Sequence, residues 1–116
     1  MLEDFFEEFA VAVTVCDAEG IILYMNQKSA ATFNADGGKN LVGSNLFECH
    51  PQPARDKLFQ MMKAQSTNVY TIEKMGQKKL IYQAPWFKQG KYAGFIELSI
   101  VIPLVMPHFI RKSVSD

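Results

Sequence analysis

The sequence has little that would place it in a specialised class of protein. Its two cysteines are too few for a disulfide framework, and twelve basic residues balance twelve acidic ones. A net charge of zero gives no electrostatic signal for binding nucleic acid or an anionic membrane. The longest apolar run, residues 100–106, contains Pro103 and is far shorter than the ~20 residues that cross a bilayer. We therefore expect no nucleic-acid partner and no membrane span.

The composition is that of an ordinary globular domain. Hydrophobic residues make up 48% of the 116 positions and charged residues 21%. The start of the chain is acidic, where a secretory signal peptide would be basic, and no segment repeats at a fixed period. The sequence therefore predicts a single soluble domain in the cytoplasm.

Residues 1–9 have the pattern of a short amphipathic helix. Glutamate and aspartate cover one side, and the four large apolar side chains share the other, at Leu2, Phe5, Phe6 and Phe9. This apolar face suits packing onto the chain's own core or onto a second copy of the chain. We assign residues 1–9 as a dimerisation helix and keep core packing as the alternative.

Turn and helix signals divide the rest of the chain into strands, short helices and further strands. Asn26 suits the N-cap of the Ala-rich segment 27–33, and Pro53 or a neighbour suits the start of a helix over 54–65. Runs rich in β-branched residues predict five strands, at 11–16, 21–25, 67–74, 78–87 and 92–102. Strands at both ends predict an α+β fold over residues 10–110, a five-stranded antiparallel sheet with short helices on one face. A polar tail follows at 111–116.

The order of these segments resembles a PAS domain. Residues 13–26 (VTVCDAEGIILYMN) resemble its first two strands with their D-x-x-G turn, and residues 41–47 (LVGSNLF) resemble the stretch between its helices. Residues 92–98 (YAGFIEL) resemble its final strand, while 49–51 and 102–109 resemble a bacterial subgroup of small PAS proteins. The resemblance implies a non-catalytic sensor that holds a small ligand between sheet and helices. It also implies a homodimer, formed through the N-terminal helix, that regulates a signalling output protein.

The neighbours Cys49 and His50 are the most reactive-looking pair in the sequence. The resemblance allows His50 to ligate haem, or Cys49 to carry a chromophore, although the supporting Tyr and Glu for the latter are not evident. A thiol activated by His50 is a third hypothesis. The alternative is that Cys49 is a small buried residue and that His50 caps or lines the helix start. The Asn-Cys-Arg-Phe-Leu-Gln helix of flavin-binding relatives is absent, so we do not expect flavin.

Aromatic residues on the predicted strands are the other candidates for ligand contact. Tyr82 and Trp86 lie four residues apart and so share a face of one strand. They would line a pocket if that face meets the helices, and would otherwise serve core or dimer packing. The sequence leaves open whether Glu97 faces solvent or the pocket. The predicted ligand contacts are Phe33, Phe47, Cys49, His50, Met62, Tyr70, Tyr82 and Trp86.

Metal binding has little support in the sequence. The Cys and His residues are scattered, at Cys16, Cys49, His50 and His108, without the paired spacing of a zinc site. We expect no metal other than the iron of a haem at His50. Two alternatives to a small-ligand sensor stay open, a haem-based redox or gas sensor and a dimerisation module without a ligand.

Overall fold

The computed structural model describes residues 4–112 and, within them, every side chain except that of Cys49. Leu2 and the tail residues 113–116 lie outside this description. The five strands are β1 (Ala12–Asp17), β2 (Ile22–Met25), β3 (Asn68–Lys74), β4 (Gln77–Lys88) and β5 (Lys91–Ile102). They form one antiparallel sheet in the spatial order β2-β1-β5-β4-β3. The predicted α+β fold with a five-stranded antiparallel sheet is confirmed.

The helices are short, and most of them lie between β2 and β3 in the chain. They are α1 (Asp4–Glu7), α2 (Gln27–Thr32), α3 (Leu46–Cys49) and α4 (Ala54–Ala64). Two 3-10 turns, Asn34–Asp36 and Gly38–Leu41, lie between α2 and α3. Asn26 caps α2 as predicted, since its side-chain oxygen accepts a hydrogen bond of 3.0 Å from the backbone N–H of Ser29.

The predicted helix over residues 1–9 is shorter in the structure. Among the described residues of this span, Asp4–Glu7 is helical, and Phe9 lies beyond the helix end. The carbonyl oxygen of Phe6 accepts hydrogen bonds from the backbone N–H of Phe9 and from the side chain of Asn26. These bonds replace the i→i+4 bond that would continue the helix, so the chain turns there and enters β1.

Strand register separates the residues of the sheet into two faces. Thr14, Glu97 and Gln83 stand opposite one another on β1, β5 and β4, and Cys16 stands opposite Phe95. Because directly opposed residues share a face, these five side chains lie together on what we call the inner face. The outer face carries the alternate residues of each strand.

Gly94 allows β5 to approach β1 very closely. Its φ is +148°, and a Cβ there would overlap the carbonyl oxygen of Cys16 and lie 2.8 Å from the Cα of Asp17. Trp86 stands opposite Gly94, and its indole Nε1–H donates a hydrogen bond of 2.9 Å to the same Cys16 oxygen. Because Gly94 has no side chain, β5 can lie close against β1. At the same place, the Trp86 indole bonds to the backbone of β1.

The core next to these strands is small. Cys16, Met62 and Phe95 form a buried cluster, and partly buried apolar residues of α3, α4 and β5 pack around it. Phe47 of α3 contacts Phe59 of α4 edge to face, with 5.8 Å between ring centroids. This packing holds α3 and α4 over one end of the inner face.

Candidate ligand-binding site

A cavity of about 480 Å³ lies between the inner face of the sheet and the helices. Its volume is within the range of about 300–1,000 Å³ that is usual for small-molecule sites. Apolar side chains from both layers, such as Phe33, Leu58 and Phe95, form most of the wall. Five polar side chains interrupt it: Thr14, Asp36, His50, Gln83 and Glu97. An apolar wall with a few placed polar groups is typical of a site that binds and orients an organic molecule.

A row of polar side chains crosses the inner face from β3 to β1. Asn68 Nδ2 donates to Gln83 Oε1 over 3.1 Å, and Gln83 Nε2 donates to Glu97 Oε2 over 2.6 Å. Thr14 ends the row and exchanges a hydrogen bond with the hydroxyl of Ser29 in α2. Gln83 fixes the Glu97 carboxylate at the cavity wall, because Gln83 is itself held by Asn68.

His50 reaches the wall from the end of α3. Its Nδ1 lies 2.7 Å from the carbonyl oxygen of Leu46. A carbonyl oxygen only accepts, so Nδ1 carries the proton and the neutral ring keeps Nε2 as an acceptor or metal-ligating atom. Arg55 Nε donates to the backbone oxygen of His50 over 3.1 Å and holds the segment before α4.

Cys16 contributes a buried thiol to the cavity wall. It is only 3% exposed, and burial raises the pKa of its thiol, an effect increased by the charges of Asp17 and Glu97 and reduced by a hydrogen bond from the Phe95 backbone. The raised pKa keeps Cys16 as a thiol at neutral pH, and the thiolate is the nucleophilic form. This cysteine therefore behaves as a small apolar residue of the wall.

The structure brings only some of the predicted ligand contacts together. Phe33 and His50 line the cavity. Phe47 and Met62 pack in the cluster beside it rather than on its wall. The side chain of Cys49 lies outside the described residues, although its backbone ends α3.

The three predicted aromatic contacts of the strands lie elsewhere. Tyr82 stands opposite Leu98, and Trp86 opposite Gly94, so both belong to the outer face. Tyr70 is on the inner face but on the edge strand, where it is 43% exposed. Burial, and then the charge of Glu97, raises the pKa of Tyr70, which places it near the polar row without lining the cavity.

Sequence reasoning missed most of the polar wall. Thr14, Asp36 and Gln83 were not singled out, and the face of Glu97 was left open. The sequence offers one signal: Phe95 and Glu97 lie two residues apart on the last strand and so share one of its faces. It does not identify a cavity, because a polar residue beside buried neighbours is also what an exposed face produces.

The overall fold resembles several solved structures. A C-terminal domain from Streptococcus mutans matches with a TM-score of 0.70 at 19% identity, covering 86% of this chain and 81% of that one. The PAS domain of an HTR-like protein from Haloarcula marismortui matches with a TM-score of 0.61 at 18% identity, over 87% and 88% of the two chains. The PAS domain of BvgS from Bordetella pertussis matches with a TM-score of 0.62 at 18% identity, over 88% and 84%. The chain adopts the PAS fold.

One further structural match is to a haem sensor, and the sequence comparisons find no match. A receptor from Vibrio cholerae, described as a dual PAS-heme oxygen sensor, matches with a TM-score of 0.56 at 20% identity, over 80% of this chain and 95% of that one. No family model matches the sequence, and no curated protein matches it. At these identities the likeness concerns the fold, so the ligand has to be argued from the cavity itself.

Two further findings concern the described part of the chain. Within residues 4–112, no three His, Cys, Asp or Glu side chains are grouped as a metal site would require. No helix in the same range is long and apolar enough to cross a membrane. His50 brings an imidazole to the cavity wall, and its Nε2 is an atom of the type that binds haem iron.

Proposed function

We propose that this protein is a non-catalytic sensor domain that binds a small organic ligand between the sheet and the helices. The observation that carries the proposal is the cavity of about 480 Å³, with its apolar wall and its ordered polar row. The PAS fold supports it, because the matching solved structures include the PAS domain of a histidine kinase and a receptor described as a dual PAS-heme oxygen sensor. A ligand-free dimerisation module is the alternative, and it would not need an open cavity of this size.

The chemistry of the wall supports binding rather than catalysis. The Cys16 thiol has a raised pKa, and the Nδ1 proton of His50 is bound to a carbonyl oxygen. Activated nucleophiles have a neighbouring base or a lowered pKa. The thiol of Cys16 on the cavity wall has the opposite shift, a raised pKa, which disfavours its nucleophilic form.

A chain of hydrogen bonds supports a route from the cavity to the N-terminal helix. Thr14 at the wall bonds to Ser29, and the backbone N–H of Ser29 bonds to Asn26 Oδ1. Asn26 Nδ2 in turn donates to Phe6 O at the end of α1. A ligand that moves Thr14 would change this network, and a shift between two arrangements of α1 would report occupancy.

The N-terminal aromatic side chains support the homodimer that the sequence predicts. Phe5 is 75% exposed, while Phe6 and Phe9 are about half exposed and contact each other at 6.3 Å between ring centroids. Exposed aromatics in such a group are typical of an interface. In this proposal Phe5, Phe6 and Phe9 form the contact between two copies, together with Leu2 beyond the described residues, and a signalling output protein responds to it. The predicted cytoplasmic location stays a prediction.

Light scattering after size exclusion tests the dimer. Phe5→Glu should convert dimer to monomer without loss of stability, because Phe5 has few contacts to lose within its own chain. Met75→Glu is the matched control, since Met75 is 94% exposed at the distant β3–β4 turn. A monomeric parent protein, or a Phe5→Glu variant that remains a dimer, would remove the dimer from the proposal.

Native mass spectrometry of freshly purified protein, beside the denatured mass, tests the ligand. A native mass above the apo mass would show a non-covalent ligand and supply its mass. An apo protein whose cavity residues respond to no small molecule in a fragment screen would contradict the proposal. The dimerisation module without a ligand would then be the better account.

A haem-based sensor is a second candidate, favoured by the geometry of His50. Its ring lines the cavity, and the Leu46 carbonyl holds the tautomer that leaves Nε2 free to bind iron. When bound, haem would supply redox or gas-binding chemistry. The wall fits the iron better than it fits the propionates, because its charged side chains are the carboxylates of Asp36 and Glu97.

Titration with hemin distinguishes this candidate. Haem ligation predicts a Soret band that His50→Ala abolishes and His108→Ala leaves intact, since His108 is exposed beyond the last strand. A protein that gives no such band, or the same band in both variants, is not a haem sensor using His50.

A further inference from the structure

The polar part of the cavity wall is unbalanced in charge. It includes two carboxylates, Asp36 and Glu97, and no lysine or arginine lines it in the described chain. Asp36 is exposed to solvent, while Glu97 on β5 is partly buried. A carboxylate withdrawn from water favours a cation nearby, and it disfavours a second anion.

Of the two carboxylate oxygens of Glu97, Oε2 accepts a hydrogen bond from the described chain and Oε1 does not. Gln83 Nε2 donates to Oε2, and the orientation of Gln83 is fixed because its Oε1 already accepts from Asn68 Nδ2. No described residue donates to Oε1 of Glu97. The row of side chains thus holds the carboxylate in position and leaves an acceptor for a group that enters the cavity.

The remaining polar groups add further acceptors. In the neutral ring of His50, Nε2 is an acceptor, because Nδ1 donates its proton to the Leu46 carbonyl. The Thr14 hydroxyl is already engaged with Ser29. A ligand that satisfies this wall must therefore bring more hydrogen-bond donors than acceptors.

We infer that the cavity selects ligands with an apolar body and a protonated amine, which donates to Glu97 Oε1. This rests on the proposed function, since it specifies the ligand of the same cavity. Hydrogen bonds between charged partners are about twice as strong as neutral ones, so the amine gains more than a hydroxyl at the same position. A ligand carboxylate would meet Glu97 with like charge and no compensating cation.

Three small probes with the same phenyl body test the preference: 2-phenylethylamine, 2-phenylethanol and phenylacetate. Each is titrated into the full ¹⁵N-labelled chain while backbone amide shifts of Cys16, Phe95 and Glu97 are followed. We expect the amine to bind at least about tenfold more tightly than the alcohol, and the carboxylate to bind more weakly than both.

The variant Glu97→Gln keeps the size of the side chain and removes its charge. It should lower amine affinity to that of the alcohol while leaving alcohol affinity unchanged, and the unchanged alcohol affinity also shows that the cavity remains folded. Glu73→Gln is the matched control, because Glu73 is exposed on β3 opposite Lys78, away from the wall. It should leave the amine preference intact.

The outcomes separate this inference from the proposed function. If the alcohol or the carboxylate binds as tightly as the amine, the cavity is a ligand site and the inference is wrong. A preference for the amine that survives Glu97→Gln also overturns it. If none of the three probes shifts the cavity amides, both the inference and the proposed ligand-binding function are overturned.

Discussion

The side-chain amide of Asn26 donates a hydrogen bond of 2.8 Å to the backbone carbonyl oxygen of Phe6. The same amide donates to the carbonyl oxygen of Val11, and Oδ1 accepts from the backbone N–H groups of Val13 and Ser29. One fully buried side chain therefore joins the N-terminal helix, the first strand and α2.

Replacement of Asn26 should lower the free energy of unfolding substantially. Asn26→Ala removes four hydrogen bonds and leaves buried backbone groups unpaired, for which we expect a loss of about 3 kcal/mol in the free energy of unfolding. Urea denaturation measures it. The exposed neighbour Gln27→Ala is the control and should change stability little. Equal stability of the two variants would show that the Asn26 network does not stabilise the fold.

The lowered pKa of Glu7 predicts that the docking of the N-terminal helix depends on pH. Hydrogen bonds from Lys39 and then from Tyr24 hold the pKa of Glu7 below its ordinary value of 4.5. A lowered folded-state pKa means that the stabilisation is complete above the unfolded-state value and is lost as pH falls through the folded-state value. Docking of α1, followed by hydrogen exchange at low salt, should therefore weaken as pH falls below about 4.5.

The variant Glu7→Gln provides the control for that pH dependence. Its α1 should exchange faster at neutral pH and show no further loss in the acid range. Because the Glu7–Lys39 pair is exposed, added salt should reduce the difference between variant and parent. A parent protein whose α1 protection is independent of pH in this range would contradict the prediction.

Gly94 predicts a severe effect of a single methyl group. Gly94→Ala forces a Cβ into the Cys16 carbonyl and a side chain into φ +148°. Overpacking and backbone strain together predict a loss of about 3 kcal/mol or more, measured by thermal or urea unfolding. Gly90→Ala, at φ +79° with no atom within 4 Å of the new Cβ, should cost about 1 kcal/mol. Similar costs at the two positions would argue against close contact between β1 and β5.

The buried thiol of Cys16 predicts low reactivity in the folded protein. Burial raises its pKa, so the thiolate fraction at neutral pH is small and the thiol is also shielded. Iodoacetamide labelling followed by peptide mapping should modify Cys16 far more slowly in the folded chain than in urea. Equal rates in both conditions would show that the cavity wall opens freely.

The elements of this fold could be predicted where local patterns determine them. Asn26 caps α2 as its sequence position indicates, and the five strands appear where β-branched residues alternate. The predicted first helix was too long because a distant side chain, Asn26, binds the carbonyl that would continue it. Such a tertiary contact leaves no trace in the periodicity of residues 1–9.

The candidate site was harder to predict, because it depends on which face of each strand meets the helices. Tyr82 and Trp86 share a face as their spacing indicates, but register puts that face outside. A shift of one residue exchanges the two faces of a strand, and sequence alone does not set it. Glu97 is on the wall only because Thr14, Gln83 and Asn68 align with it across four strands.

Trp86 is the sole tryptophan of the chain and lies on the outer face of the sheet. Its indole N–H bonds to the backbone oxygen of Cys16, whose side chain lines the cavity on the inner face. The protein therefore carries its own optical reporter. Indole emission responds to the polarity and hydrogen bonding of its surroundings, so displacement of the Cys16 carbonyl by an occupant would alter fluorescence without direct contact between ligand and ring. Binding could be followed at native concentration in unlabelled protein, with no dye on the surface through which two copies would meet.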